Sequence, residues 1–335
     1  MTQPTRYEMA AWILAGLALV GVLQLGLLAA LLAGLLVFEL VDMAAAKLAT
    51  LGISRVNGKI AALVLVAVIT ITAVTLSMLG LFTLLVGRSE SVEVLLRKMA
   101  DVIDAASMHY PSWMRAYLPA NADELDTLAS AWLREHARDL QAAGTSFGRT
   151  LLHILVGMII GGIAVIGKVT PDRPLGPLAR ALAERGAHLG AAFRRVVFAQ
   201  VRISALNTTL TAIYLVGVLP ALGVQLPLTK TMIALTFIAG LLPVLGNLIS
   251  NTVIVVVSLS ASAYAAMGSL VFLVLIHKLE YFVNARIIGT QIKARAWEML
   301  IAMLVMDAAF GIPGVIAAPI YYAYLKDELA TRHLI

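Results

Sequence analysis

The chain has 335 residues, 61% of them hydrophobic and only 13% charged, and its mean hydropathy is +0.92. A soluble domain carries about 25% charged and 45–50% apolar residues, so an ordinary soluble enzyme is excluded and much of this surface must face lipid. Lys and Arg exceed Asp and Glu by six, which in such a chain marks cytoplasmic loops rather than a nucleic-acid partner; the absence of Cys excludes disulfides, thiolate metal sites, Fe–S clusters and cysteine nucleophiles.

The long apolar runs lack the alternation of a membrane barrel, which predicts an all-α polytopic membrane protein. The first run, 9–41, is followed by no convincing small-residue cleavage site, so a removable signal peptide is not expected. As one straight helix its 33 residues would reach about 50 Å, against a hydrocarbon core of about 30 Å. A fold at Gln24–Gly26 would give two short tilted helices with both ends on the cytoplasmic side. The connection 42–59 carries Lys47, Arg55 and Lys59 against Asp42 alone and is placed in the cytoplasm.

Segment 60–86 then crosses outward. The polar stretch 87–149 holds seven basic and nine acidic residues and is placed outside, with 88–149 an extracytoplasmic helical insertion. Within it, Val92, Leu95, Leu96, Met99, Val102, Ile103 and Ala106 recur at helical spacing. Tyr110–Pro119 reads as an interfacial turn, and Asn121 with Glu124 caps a helix striped by Leu125, Leu128, Trp132 and Leu140. Segment 150–167 is a single span back to the cytoplasm.

Stretch 168–204 has seven basic residues against Asp172 and Glu184, and is placed inside. Its portion 175–200 is amphipathic, with Leu175, Leu178, Leu182, Leu189, Phe193 and Val197 opposite several arginines. Such a helix suits the membrane surface or packs on partner helices. Segment 205–222 crosses outward. Segment 231–262, 32 residues, contains Pro243, Gly246 and Asn247, which together break helices. The connection 285–298 carries Arg286, Lys293 and Arg295 against Glu298 and belongs inside. With 264–284 as one crossing, 231–262 must enter and return to the same side, as a re-entrant hairpin or two thin spans with broken backbone at Leu241–Asn247. A single tilted helix would leave a positive loop outside. Segment 299–325 holds Gly311-Ile312-Pro313-Gly314 near its middle and is either a kinked span or a second hairpin. Broken segments of this kind point to a transporter's binding site.

No zinc-protease histidine pair, phosphate-binding loop or nucleophile elbow is present, so no enzyme activity, cofactor or metal is expected. Polar residues inside apolar spans carry more information, because each is costly in lipid. His277, Glu280 and Asn284 fall at i, i+3 and i+7 along one helix side, which suits a proton relay or cation site, or equally a solvated cluster at the end of the span. Asp307 sits in Met299–Phe310 with no basic neighbour and is a candidate proton or cation site. Asn247, Ser250 and Asn251 follow the Pro243 break. Asn207, Thr208 and Thr209 are as well suited to holding helices together as to touching a substrate. His153 is read as an interfacial or packed histidine.

The C-terminal half resembles the autoinducer-2 exporter superfamily, which includes PerM-like permeases. The resemblance rests on Gly223-Val224-Gln225-Leu226-Pro227-Leu228, Leu241-Leu242-Pro243-Val244-Leu245-Gly246, Glu280-Tyr281-Phe282-Val283-Asn284 with Ile288-Gly289, and Phe310-Gly311-Ile312-Pro313-Gly314-Val315 through Ala318-Pro319. The hydrophobic layout extends the likeness over nearly the whole chain, 1–335, as one transporter domain. Matching positions are Glu280 and Asn284, Pro243 and Gly246, and Gly311, Pro313 and Gly314. The sequence departs at Asn247, where proline is common, and at Asp307, where small residues are usual. The resemblance implies a bacterial inner-membrane transporter with about eight membrane segments and a homo-oligomer, a pentamer being one expected state. Some relatives are described as autoinducer-2 exporters and others as Na+(Li+)/H+ antiporters.

The pathway candidates are therefore Pro243, Gly246, Asn247, Asn251, His277, Glu280, Asn284, Asp307, Gly311, Pro313 and Gly314. The first expectation is a secondary transporter of a small polar solute in the lipid bilayer. A monovalent-cation/proton antiporter driven by H+ or Na+ is the alternative, and a non-transporting scaffold the third.

Overall fold

The computed structural model describes residues 5–86, 135–167, 175–241, 245–259, 261–292, 295–332 and 334, together with Thr127 and Ala131. The helix and turn expected within 89–119 and the residue Pro243 lie outside the described residues, as does most of the stripe from Leu125 to Leu140. Every described element is helical: α1 (Arg6–Gln24), α2 (Leu28–Ala49), α3 (Arg55–Val86), α4 (Ala137–Gly167), α5 (Pro177–Ala212), α6 (Thr229–Gly240), α7 (Leu245–Leu259), α8 (Ala263–Ile292), α9 (Ala296–Phe310) and α10 (Ile312–Thr331). Four stretches are long and apolar enough to cross a membrane: Arg6–Gln24, Leu28–Ala49, Gly148–Gly167 and Pro177–Ala221. They mark the chain as a membrane protein.

Most of the expected segment borders, at 41, 59, 149, 204, 284 and 298, fall inside continuous helix. α5 runs on through a π-helical turn, Ile213–Val218, and a last turn, Leu219–Ala221, giving 45 helical residues. The boundary expected at 204 is a change of composition, to which backbone hydrogen bonding is indifferent. The wide turn has a local cause. Pro220 has no N–H and its ring crowds the carbonyl four residues back, and a π-turn relieves both. Likewise α4 begins at Ala137, so the end of the expected insertion is already the helix of the following span.

The helix ends are written in glycine. α1 stops at the predicted Gln24–Gly26 fold, where Gly26 has φ +68°, Gly26 N–H donates to Leu23 O and Leu27 N–H donates to Val22 O. The same paired bonds recur at Gly52 and Gly223, so one left-handed residue absorbs the orphan carbonyls each time. Gly311, at φ 63° and ψ −148°, occupies a region essentially closed to other residues. It alone separates α9 from α10 and reverses the chain.

Two compact units result, one formed by 1–77, 144–198 and 289–335, the other by 78–143 and 199–288. In the first, α1 and α10 lie antiparallel along their whole length. Arg332 pairs with Glu8, Trp12 Nε1 donates to Glu328 Oε2 at 3.2 Å, Tyr321 Oη donates to Leu19 O at 3.1 Å, and Leu23 shares an apolar cluster with Ala317. α2 crosses α4 at backbone contact. A Cβ on Gly34 would sit 2.8 Å from Gly157 O, and Cβ atoms on Gly157 and Gly161 would overlap the backbones of Ala30 and Gly34. Lys59, buried on α3, donates to Val165 O at 3.0 Å and lies 3.5 Å from Asp42. α9 folds back on α10 with Gly314 against the Met306 carbonyl, where a side chain would overlap.

In the second unit, α6 and α7 pack against each other, and a Cβ on Gly246 would overlap Ala239 O. Tyr214, Leu215, Leu219, Met232, Ile254 and Leu273 form its apolar core, with Tyr214 stacked on Phe272 at 3.8 Å between ring centroids.

Candidate functional site

Three of the expected pathway residues meet in the second unit. Asn247 and Asn251, one turn apart on α7, line a groove of about 530 Å³ together with Thr252 and with His277 and Lys278 of α8. Its apolar walls are Leu248, Val255 and Val256 on one side and Leu270, Leu273 and Val274 on the other. The amides are half-buried, whereas His277 and Lys278 are exposed at its edge. Amides donate and accept, and the basic pair adds further donors, so the groove offers a polar guest bonds in both directions along an apolar cleft.

The backbone break is narrower than expected. α6 ends at Gly240 and α7 begins at Leu245, so Gly246 and Asn247 lie in a first helical turn rather than in unwound chain. Helix resumes there because nothing from Leu245 onward opposes it, and glycine at 246 allows close approach to α6. Glu280 and Asn284 lie on α8, three and seven residues past His277, with their side chains outside the described residues. Asp307, Gly311, Pro313 and Gly314 belong to the other unit, on the α9–α10 hairpin.

Asn207 proves to join helices. Its Nδ2 donates to Asn247 Oδ1 at 3.1 Å. One and two turns earlier, Ser204 Oγ donates to Phe237 O and Gln200 Nε2 to Gly240 O, both at 2.7 Å. Those carbonyls end α6, where no intrahelical donor remains. Three side chains at i, i+4 and i+7 thus fasten the α6–α7 elbow to α5, and Gly240 leaves room for Ser204, whose Oγ would lie 2.6 Å from an added Cβ.

The first unit holds an ionic layer that composition alone did not reveal. Glu328 is buried, with Arg185 Nε at 3.1 Å and His188 Nδ1 at 2.8 Å from Oε1 and the Trp12 indole on Oε2. Arg185 and Arg332 also approach the Trp12 ring, at 5.7 and 5.2 Å from its centroid. Arg195 pairs with Asp327, and Arg194 lies 3.5 Å from the buried Glu39. Glu39 fits because a Cβ on Gly190 would lie 2.7 Å from its Oε1. Of the two readings of 175–200, packing against partner helices describes these arginines. Their spacing with His188 was visible in sequence, but not their acids about 140 residues away.

At the start of α9, Glu298 Oε2 accepts from Lys326 Nζ and Tyr322 Oη at 2.6 Å and from Arg295 N–H at 3.2 Å. The Lys326 bond first, then the Tyr322 bond, holds its carboxyl down at about 2, below the ordinary 4.5. Among the described residues, no group of three His, Asp or Glu is arranged to hold a metal ion. No protein-family model, curated protein or solved structure matches the chain.

Proposed function

We propose that the chain is a secondary transporter of a small polar solute in the bacterial inner membrane, of the autoinducer-2 exporter type. The observation that carries this reading is the groove in which Asn247, Asn251 and His277 converge beside a broken helix pair. The sequence contains no nucleotide-binding motif, so transport runs on a proton or sodium gradient or on the solute's own. In this reading about eight segments enter the membrane as a homo-oligomer, a pentamer being one expected state, with 88–149 outside and 168–204 cytoplasmic. α1 and α2 are two short tilted membrane helices joined at the Gly26 turn, and α9–α10 is a kinked span or a second hairpin turning at Gly311.

Flux of labelled solutes into proteoliposomes under imposed proton and sodium gradients tests the proposal. Asn251→Leu should lower flux severalfold without changing assembly, and unchanged flux would remove the groove from the pathway. The chain has no native thiol, so Ala187→Cys should react only from the cytoplasmic side and Ser107→Cys only from outside; the reverse pattern inverts the orientation.

One observation favours the cation/proton antiporter as a second reading. Asp307 is exposed on α9, on a face with Leu300 and Leu304, 65% and 70% exposed, and no side-chain partner is found for it among the described residues. A carboxylate on an apolar helix face at membrane depth is costly unless water or a cation reaches it.

A further inference from the structure

α5 carries a buried polar line that the groove does not account for. Gln200, Ser204, Asn207, Thr211 and Tyr214 recur every three or four residues on one face, over about 21 Å of helix. Most of its members are matched. Gln200 and Ser204 cap α6, Asn207 meets Asn247, and Tyr214 Oη lies 3.1 Å from Ser269 Oγ, itself 2.7 Å from Ser258 Oγ.

Thr211 breaks the series. It is 1% exposed, yet its hydroxyl makes no hydrogen bond among the described residues, and neither does the buried hydroxyl of Thr208, one turn back. Helical threonines have an easy solution in the carbonyl four residues earlier. Thr209, Thr236 and Thr252 all use it, at 2.7–2.8 Å, to Ala205, Met232 and Leu248. Thr208 and Thr211 do not make this bond, so neither hydroxyl is satisfied by its own helix. A buried hydroxyl left unpaired is destabilising, and two of them one turn apart beside the Asn207 amide leave hydrogen-bonding capacity that no described side chain uses.

We propose that Thr208 and Thr211, with Asn207 beside them, form a buried binding site for a small uncharged guest that donates and accepts hydrogen bonds through a hydroxyl. Charge decides the class. None of Gln200, Ser204, Asn207, Thr208 and Thr211 ionises, so a dehydrated ion would find no counter-charge along this stretch of the line, whereas a neutral guest needs none. The guest is either a resident water or the hydroxyl of a hydroxylated solute. The site stands whether or not the chain transports anything.

Thermal unfolding of the full chain in lipid nanodiscs tests it through the sign of one shift. Thr211→Val keeps the shape and removes the hydroxyl. If a guest occupies the site, Tm falls, and Thr211→Ser, which keeps the hydroxyl, falls less. If the hydroxyl is simply unpaired, Thr211→Val raises Tm or leaves it unchanged, and the proposal fails. Thr208→Val should follow Thr211→Val, while Thr209→Val, which removes only a bond to its own helix, serves as the reference. Should Thr211→Val fail to fold, Thr208→Val decides by the same sign. Glycerol then separates the sources. A larger glycerol-induced rise in the parent than in the Thr208→Val/Thr211→Val pair indicates a solute hydroxyl, and equal rises indicate a resident water.

Discussion

Asn207 on α5 and Asn247 on α7 meet amide to amide at 3.1 Å, so a residue in the first turn of α7 both lines the groove and is tied to the long helix behind it. A guest bonding to Asn247 competes with, or builds upon, a contact that also fixes the elbow. A double-mutant cycle of Asn207→Ala and Asn247→Ala should give a coupling of about 0.5–1.5 kcal/mol, in the range of interhelical hydrogen bonds in membranes. Additive losses would mean that the amides stabilise their helices separately.

The α2–α4 crossing predicts a sharp contrast between glycines. Gly157→Leu or Gly161→Leu must push the two backbones apart and should abolish assembly of that pair. Gly16→Leu, with nothing within 4 Å of its added Cβ, should leave unfolding unchanged. Gel-filtration profile and Tm in detergent report both.

Glu328→Ala would leave buried Arg185 with only the exposed Glu184 as a partner and the Trp12 indole unpaired, and should cost about 3 kcal/mol, the low end for a broken buried pair. Replacing both Arg185 and Glu328 by Met should cost much less, because no buried charge is stranded. Denaturant unfolding of the two variants distinguishes a paired charge from an incidental contact, for which the costs would rank the other way.

Glu298 sets an acid dependence with a defined sign. Its folded-state carboxyl titrates near 2 against an ordinary 4.5, so the stabilisation is complete above about 4.5 and is lost as pH falls toward 2. The Tm difference between the parent and Glu298→Gln should be constant from pH 7 to about 5, then shrink on further acidification. A constant difference down to pH 3 would show that Lys326 and Tyr322 do not act through the charge.

Asp307→Asn should leave the fold within about 0.5 kcal/mol of the parent, since the residue is exposed and its side chain has no partner among the described residues. In proteoliposomes it should remove the pH dependence of flux. A variant that folds and keeps the full dependence would make Asp307 a surface residue and withdraw the antiporter reading.

Local chemistry was readable from the chain, and pairing at a distance was not. Gly26, Gly311 and the gap before Leu245 announced themselves through excess length and breaker residues, because a helix end is decided within a few residues. Asn251 and His277 stand out as polar residues in apolar runs, and the groove brings them together. The continuous helix through residue 204 has no sign in hydropathy, which changes there while nothing interrupts the backbone. Gly157 and Gly161, four apart in an apolar run, carry the small-residue spacing of a close helix crossing. The partners of Arg185 and Arg195 had no local sign, since Asp327 and Glu328 follow more than 130 residues later.

The antiparallel seam of α1 and α10 has a temporal consequence. Leu19 O and Tyr321 Oη are separated by 302 residues, and at about 5–20 residues per second their synthesis lies roughly 15–60 s apart. Throughout that interval Trp12, Leu19 and Leu23 are without the helix that covers them. Lipid or the insertion machinery must occupy that side of α1 and then be displaced by α10, so closure of the seam is a late event in biogenesis and slowed elongation should prolong the exposed state.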